Sequence, residues 1–221
     1  MKIDRIVRTN RKTISIRITD DGEVEVRAPK HVRDEVIFNV VKKKEAWIKK
    51  KIEEVRSRDP QFKKKEFVNG EGFLYLGKHY KLKIVDNQEI PLKLQGYFLL
   101  SRKYLPRARE VFIKWYKQKA YEKIGARAKM YSSLMGLKYN KINITHAQKR
   151  WGSCSPQGNL NFSWRLVMAP LPVIDYVVVH ELVHLKIKNH TKEFWNAVRV
   201  VIPDYQKHAQ WLKENGYLLH L

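Results

Sequence analysis

The chain has 221 residues, of which 43% are apolar and 30% charged, and 45 Lys and Arg against 22 Asp and Glu give it a net charge of +23. That composition belongs to a globular protein large enough to bury a sizeable core, and it excludes a low-complexity or disordered chain. The single cysteine, Cys154, excludes an intrachain disulfide. No apolar signal follows Met1 and no apolar run reaches membrane length, so the expectation is a cytoplasmic protein with no membrane contact.

The charge is spread rather than confined to a tail. Residues 1–65 carry 20 cationic and 11 anionic side chains, residues 66–130 carry 14 and 6, and residues 131–221 carry 11 and 5. Such a field attracts polyanions, which makes DNA or RNA a candidate partner; the competing reading is a solubilising surface.

In chain order, residues 12–28 alternate, with Ile14, Ile16 and Ile18 on one face and a turn at Asp20-Asp21-Gly22, and they predict a β-hairpin. Residues 33–57 predict one helix with Val36, Ile37, Val40, Val41, Trp47, Ile48, Ile52 and Val55 on its apolar stripe. Lys42–Lys44 and Lys49–Lys51 fall mostly off that stripe. Residues 59–66 read as a linker. Strands are expected at 73–76, 80–85 and 92–100, with Gly77 and Gly96 at turns. Pro106 opens a long helix to about 134, which Gly136 stops. Strands at 141–146 and 159–166 precede the break at Pro170 and Pro172. A helix then runs to about Ile187, with Asp175 near its positive end. Two more helices follow, at 192–202 and 204–214. The order predicts an α+β fold, with a β-rich portion over 1–100 and a catalytic portion over 104–221.

Residues 180–184 read His-Glu-Leu-Val-His. On a helix, positions i and i+4 share a face, so His180 and His184 can direct ring nitrogens at one metal ion. Glu181 stands beside them, placed to act on a water as general base. His190 follows His184 by six residues, and an unbroken helix would carry it away. The chain must therefore turn at Ile187-Lys188-Asn189, with Asn189 suited to a left-handed helix end and Thr191 to capping the next helix. Three neutral imidazoles hold one zinc ion per chain and leave a fourth position for water. His208 and Glu193 are the rival third ligands.

A second informative run is Arg150-Trp151-Gly152-Ser153-Cys154-Ser155, with Gly158-Asn159-Leu160-Asn161 and Arg165-Leu166 after it. Together with the His180 motif, Asn189-His190 and Phe194-Trp195, it resembles the YgjP-like metallopeptidases, on the gluzincin-like and SprT-like side of the zinc peptidases. The resemblance implies His180, His184 and His190 as ligands and Glu181 as the catalytic residue. Relatives of the SprT and WLM types clip proteins crosslinked to DNA, so nucleic-acid-associated substrates follow as an analogy. An edge strand beside the motif helix commonly binds the substrate backbone, and Asn159, Leu160, Asn161 and Phe162 are the candidates. Tyr205, His208 and Arg150 are the candidate transition-state donors. Cys154 reads as a small buried residue near the site, and Trp151 and Trp195 as aromatics packed round the motif helix. Two rival functions stay open: a nucleic-acid-binding module with a structural zinc, and a zinc hydrolase of a non-peptide amide.

Overall fold

The structure, a computed structural model, describes residues 3–19, 22–56 and 65–221. Its fold is α+β, in two compact units, Met1–Lys63 and Lys64–Leu221.

In the first unit, β1 (Arg5–Thr9), β2 (Ser15–Ile18) and β3 (Val24–Pro29) form a sheet in the order β1-β3-β2. The expected hairpin is the antiparallel pair β2–β3, with Ile16 opposite Val26. Its Asp20 and Asp21 lie outside the described residues. The strand β1 was not expected; it pairs with β3 in parallel. Where one helix was predicted there are two, α1 (Asp34–Lys43) and α2 (Glu45–Arg56), because Lys44 leaves the helical region at φ −106°, ψ 11°. Ile37, Val41 and Ile48 bury against Val24, Val26 and Ala28. A three-stranded sheet covers only a narrow helical stripe, so Val36 and Trp47, assigned to that stripe from sequence, stay 46% and 43% exposed.

In the second unit, β4 (Gly72–Tyr75), β5 (Lys78–Val85), β6 (Leu92–Gln95) and β7 (Tyr97–Ser101) form a sheet in the order β4-β5-β7-β6. The single strand expected over 92–100 folds back at Gly96, whose φ of +68° suits glycine. Lys65 belongs here: it donates to the Gly72 carbonyl at 2.8 Å and lies over the Phe73 ring.

The long helix α3 (Ala108–Leu134) buries Phe112, Tyr116, Ala120, Ile124 and Ala128, a strict i,i+4 stripe. Phe112 stacks on Phe73 at 4.3 Å, and Tyr116 stacks on Trp164 at 5.8 Å. One core therefore runs from the β4–β7 sheet through α3 to the C-terminal elements. That continuity is why the division falls at residues 63 and 64, and the boundary expected between 100 and 104 lies inside a unit.

A second sheet has the order β8-β10-β9, from β8 (Ile142–Thr145), β9 (Gly152–Cys154) and β10 (Leu160–Ser163). Helices α4 (Leu171–Val183), α5 (Lys192–Val201) and α6 (Tyr205–Asn215) follow. Helix α4 is apolar all round, which fits a helix buried on every side. Its one early charge, Asp175, accepts two bonds from Arg127 of α3, at 2.5 and 2.6 Å. Among the described residues no helix is long and apolar enough to cross a membrane.

Candidate metal centre and active site

Helix α4 carries His180 and Glu181 and ends at Val183, with His184 as its C-cap. It stops four residues short of the end expected from sequence. The chain leaves through tight turns, in which Leu185 N–H donates to Leu182 O at 3.0 Å and Ile187 N–H to Val183 O at 2.9 Å. Asn189 does not supply a left-handed residue, since Phe67 and Leu76 are the non-glycine residues with positive φ among those described. Thr191 then caps α5 as expected, its hydroxyl oxygen accepting from Phe194 N–H at 3.4 Å. The turn and the cap together bring His190 back over the helix end.

One ring nitrogen from each of His180, His184 and His190 lies within 4.8 Å of the others. The Nε2 atoms of His180 and His190 face each other at 3.0 Å. Nδ1 of His184 sits 3.0 Å from Ile187 O, so N–H at that position donates and Nε2 is left as the basic nitrogen. Burial, then the neighbouring His184 and His190, lower the pKa of His180 to about 3. Burial likewise lowers that of His184. His180 and His184 are thus held neutral, the form a metal requires. Each ring brings one nitrogen to the same place, where a divalent cation would take a lone pair from each. The residues present fit a metal.

Glu181 is 5% exposed and its Oε2 has no hydrogen-bond partner among the described residues. Burial pushes its carboxyl up to about 7, against the opposing pull of the Arg150 charge. His180 and Glu181 line one cavity of about 300 Å³ with Trp151, Gly152, Tyr176 and Leu212. Strand β9 passes so close that a side chain at Gly152 would collide with the Glu181 carboxylate.

Aromatic rings enclose the histidines. Phe194 lies 4.6 Å from the His184 ring, and Trp195 stacks on His190 at 5.5 Å. Tyr205 is buried and stacks on Trp195 at 5.1 Å. His208, by contrast, faces Asp204 at 3.4 Å, and neither it nor exposed Glu193 belongs to the histidine group. Arg150 is exposed. Cys154 is half-buried, burial raises its thiol pKa, and it is outside the metal-binding group.

The strand assigned from sequence to the substrate is not an edge. Strand β10 pairs with β8 on one side and β9 on the other, so its backbone has no free edge for a peptide. Leu160 and Phe162 are core residues, Asn159 accepts from Asn140, and Asn161 accepts from Asn143. The edge beside Glu181 is β9, antiparallel to β10. Gly152 is thus a candidate-site residue that sequence reasoning missed, while Trp151, expected to pack round the motif helix, lines the same cavity. The signal was present in the Arg150–Ser155 run, but not the contact that explains it.

Residues 12–215 match the YgjP-like metallopeptidase domain. The crystal structure of the metallopeptidase zymogen of Pyrococcus abyssi abylysin is similar over 41% of this chain and 93% of that one, at 17% identity and a TM-score of 0.38. No curated protein matches. With nearly its whole length matched to that domain, the chain belongs to the YgjP-like metallopeptidase family, and its activity is that of a metal-dependent peptidase acting on protein or peptide.

Proposed function

We propose that one zinc ion per chain is held by His180, His184 and His190, and that Glu181 is the general base for peptide-bond hydrolysis. The observation that carries this is the convergence of three imidazoles within 4.8 Å, beside a buried carboxylate that shares a cavity with one of them. Three nitrogen donors suit zinc, whereas magnesium and calcium take oxygen ligands. Zinc bound there supplies Lewis acidity.

Glu181 accepts a proton from the attacking water as its oxygen bonds to the scissile carbonyl carbon. It returns that proton to the leaving nitrogen as the C–N bond breaks. Its burial excludes competing bulk water. The free edge of β9 supports binding of the substrate backbone by strand addition, which lays the scissile bond beside Glu181. Among the transition-state candidates, Tyr205 has the support of its stack with Trp195 and Tyr176, both packed on the histidine rings. His208 is engaged by Asp204. A structural zinc in a binding module is set aside by the peptidase family.

Casein cleavage after chelation and metal return tests this reading. Zinc is expected to restore activity and magnesium is not; full cleavage by metal-free protein would refute it.

One observation favours nucleic-acid-associated substrates. Helices α1 and α2 expose Phe38 at 51% and Trp47 at 43%, along with Lys42, Lys43, Lys44, Lys49 and Lys50. Cations and exposed rings on two successive helices suit single-stranded DNA or RNA. Oligonucleotide affinity should fall steeply between about 50 and 200 mM salt. No binding at the lower salt removes this partner.

A further inference from the structure

Strand β9 borders a second cavity of about 210 Å³, whose wall includes Thr145, Arg150, Ser153, Asn161 and Ser163. It shares Trp151 and Gly152 with the cavity that holds Glu181. The two chambers therefore meet at the strand that receives the substrate backbone in the reading above. The second is smaller than the roughly 300–1,000 Å³ of a whole-ligand pocket, which is the scale of a single subsite.

Its chemistry is one-sided. The wall offers a guanidinium, three hydroxyls and an amide, and no carboxylate. Two hydroxyls are spent: Ser163 donates to Ala147 O at 2.8 Å, and Thr145 to Phe162 O at 3.3 Å. The Asn161 amide nitrogen faces Ser153 O and Oγ, both at 3.4 Å. That arrangement leaves the Ser153 hydroxyl hydrogen free to donate elsewhere. Arg150 makes no ion pair or hydrogen bond among the described residues, although it is close enough to Glu181 for its charge to be felt there. An unspent cation and an unspent hydroxyl thus line a chamber without acids, next to the catalytic carboxylate.

We propose that this chamber is a specificity subsite for a carboxylate of the peptide substrate, held by Arg150 with Ser153 as a second donor. It rests on the peptidase reading of the Glu181 cavity. The guanidinium fork matches a carboxylate in geometry as well as in charge. The net charge of +23 steers acid-rich chains toward the protein. The subsite also accounts for the run Arg150-Trp151-Gly152-Ser153. Its first and last residues bind the anionic group, Trp151 forms the common wall, and Gly152 admits Glu181. The carboxylate is either an acidic side chain or the chain terminus, and the test separates them.

Metal-loaded Glu181→Gln protein is titrated with three fluorescein-labelled octapeptide pools: neutral with an amidated C-terminus, amidated with one internal glutamate, and neutral with a free C-terminal carboxylate. One anionic pool is expected to bind on the order of 10-fold tighter than the neutral amide, as one charge-assisted hydrogen-bonded contact gives. The glutamate pool winning identifies a side chain, and the free-carboxylate pool winning identifies a terminus. Arg150→Gln should bring the preference within twofold. Lys129→Gln, an exposed charge on α3, should leave it intact, which separates the subsite from the general positive field. Equal binding of the three pools, or a preference that survives Arg150→Gln, overturns the proposal. With Glu181 in place, Arg150→Gln should raise KM for the preferred pool; an equal fall in kcat on all three pools would make Arg150 a transition-state donor and overturn it as well. The binding arm involves no cleavage, so failure of the Glu181 mechanism and failure of the subsite are read separately.

Discussion

A Cβ built on Gly152 would stand 2.5 Å from Oε1 and 2.6 Å from Cγ of Glu181. The edge strand β9 and the Glu181 carboxylate approach so closely that only a hydrogen fits between them. Glu181 is buried, and its side chain can move only into the cavity that it lines. Gly152→Ala must displace the carboxylate or the strand, and a shift of about 1 Å in a catalytic group can cost on the order of 10² in rate. The expected result is a fall in kcat of that order with metal content unchanged, measured by peptide cleavage and elemental analysis. Wild-type kcat in the alanine variant would contradict the close approach.

The cluster of three histidines includes His190 and not His208. His190→Ala removes one of three converging nitrogens and should abolish tight metal binding. His208→Ala breaks a contact with Asp204 on α6 and should keep the metal. Full metal in the His190 variant, or loss in the His208 variant, would reverse the assignment.

Arg127 and Asp175 tie α3 to the helix that carries the site. Removing one partner of a buried pair costs about 3–5 kcal/mol, because the other is left uncompensated. The Arg127 side chain is 27% exposed, so water offsets part of that. Asp175→Ala should cost about 2 kcal/mol, less than the fully buried case. Arg127→Met on that background should recover part of it. Urea unfolding of the four proteins checks this, and purely additive losses would refute the coupling.

The metal-free protein should show two opposed proton linkages. His180 falls from 6.5 to about 3 on folding, with His184 and His190 beside it, so between those values the unfolded chain binds more protons at this site. That term lowers stability as pH drops through about 6.5. Glu181 rises from 4.5 to about 7, so there the folded chain binds more protons and stability increases as pH drops through about 7. On going from about pH 7.5 to about pH 5, His180→Gln should therefore gain stability relative to wild type and Glu181→Gln should lose it. Urea midpoints shifting in the same direction for both variants would contradict these environments.

Much of this site was legible in the sequence because its chemistry depends on local spacing. The i,i+4 histidines of α4 and the Thr191 cap follow from helix geometry alone, and so did the need for a turn before His190. The role of β9 was not legible. A three-residue strand has no alternation to read, and what makes it an edge is the position of β10 between two partners. Leu160 and Phe162 illustrate this, since a strand buried within a sheet and one offered to a substrate share the same pattern. The break at Lys44 was hidden for a related reason: apolar spacing on both sides is helical, and only the small sheet below decides which residues are covered. The continuity of the second core through Phe73, Phe112 and Trp164 likewise joins segments far apart in sequence.

The central claim is that Glu181 performs the proton transfer while the three histidines hold the metal. Single-turnover cleavage of one peptide by wild type and Glu181→Gln, each at matched zinc content, tests it most directly. Both proteins are expected to hold equal zinc, about one ion per chain. The glutamine variant is expected to cleave more slowly by roughly 10²–10⁴ or more, the loss that follows removal of a general base. Cleavage at the wild-type rate by fully zinc-loaded Glu181→Gln protein would contradict it.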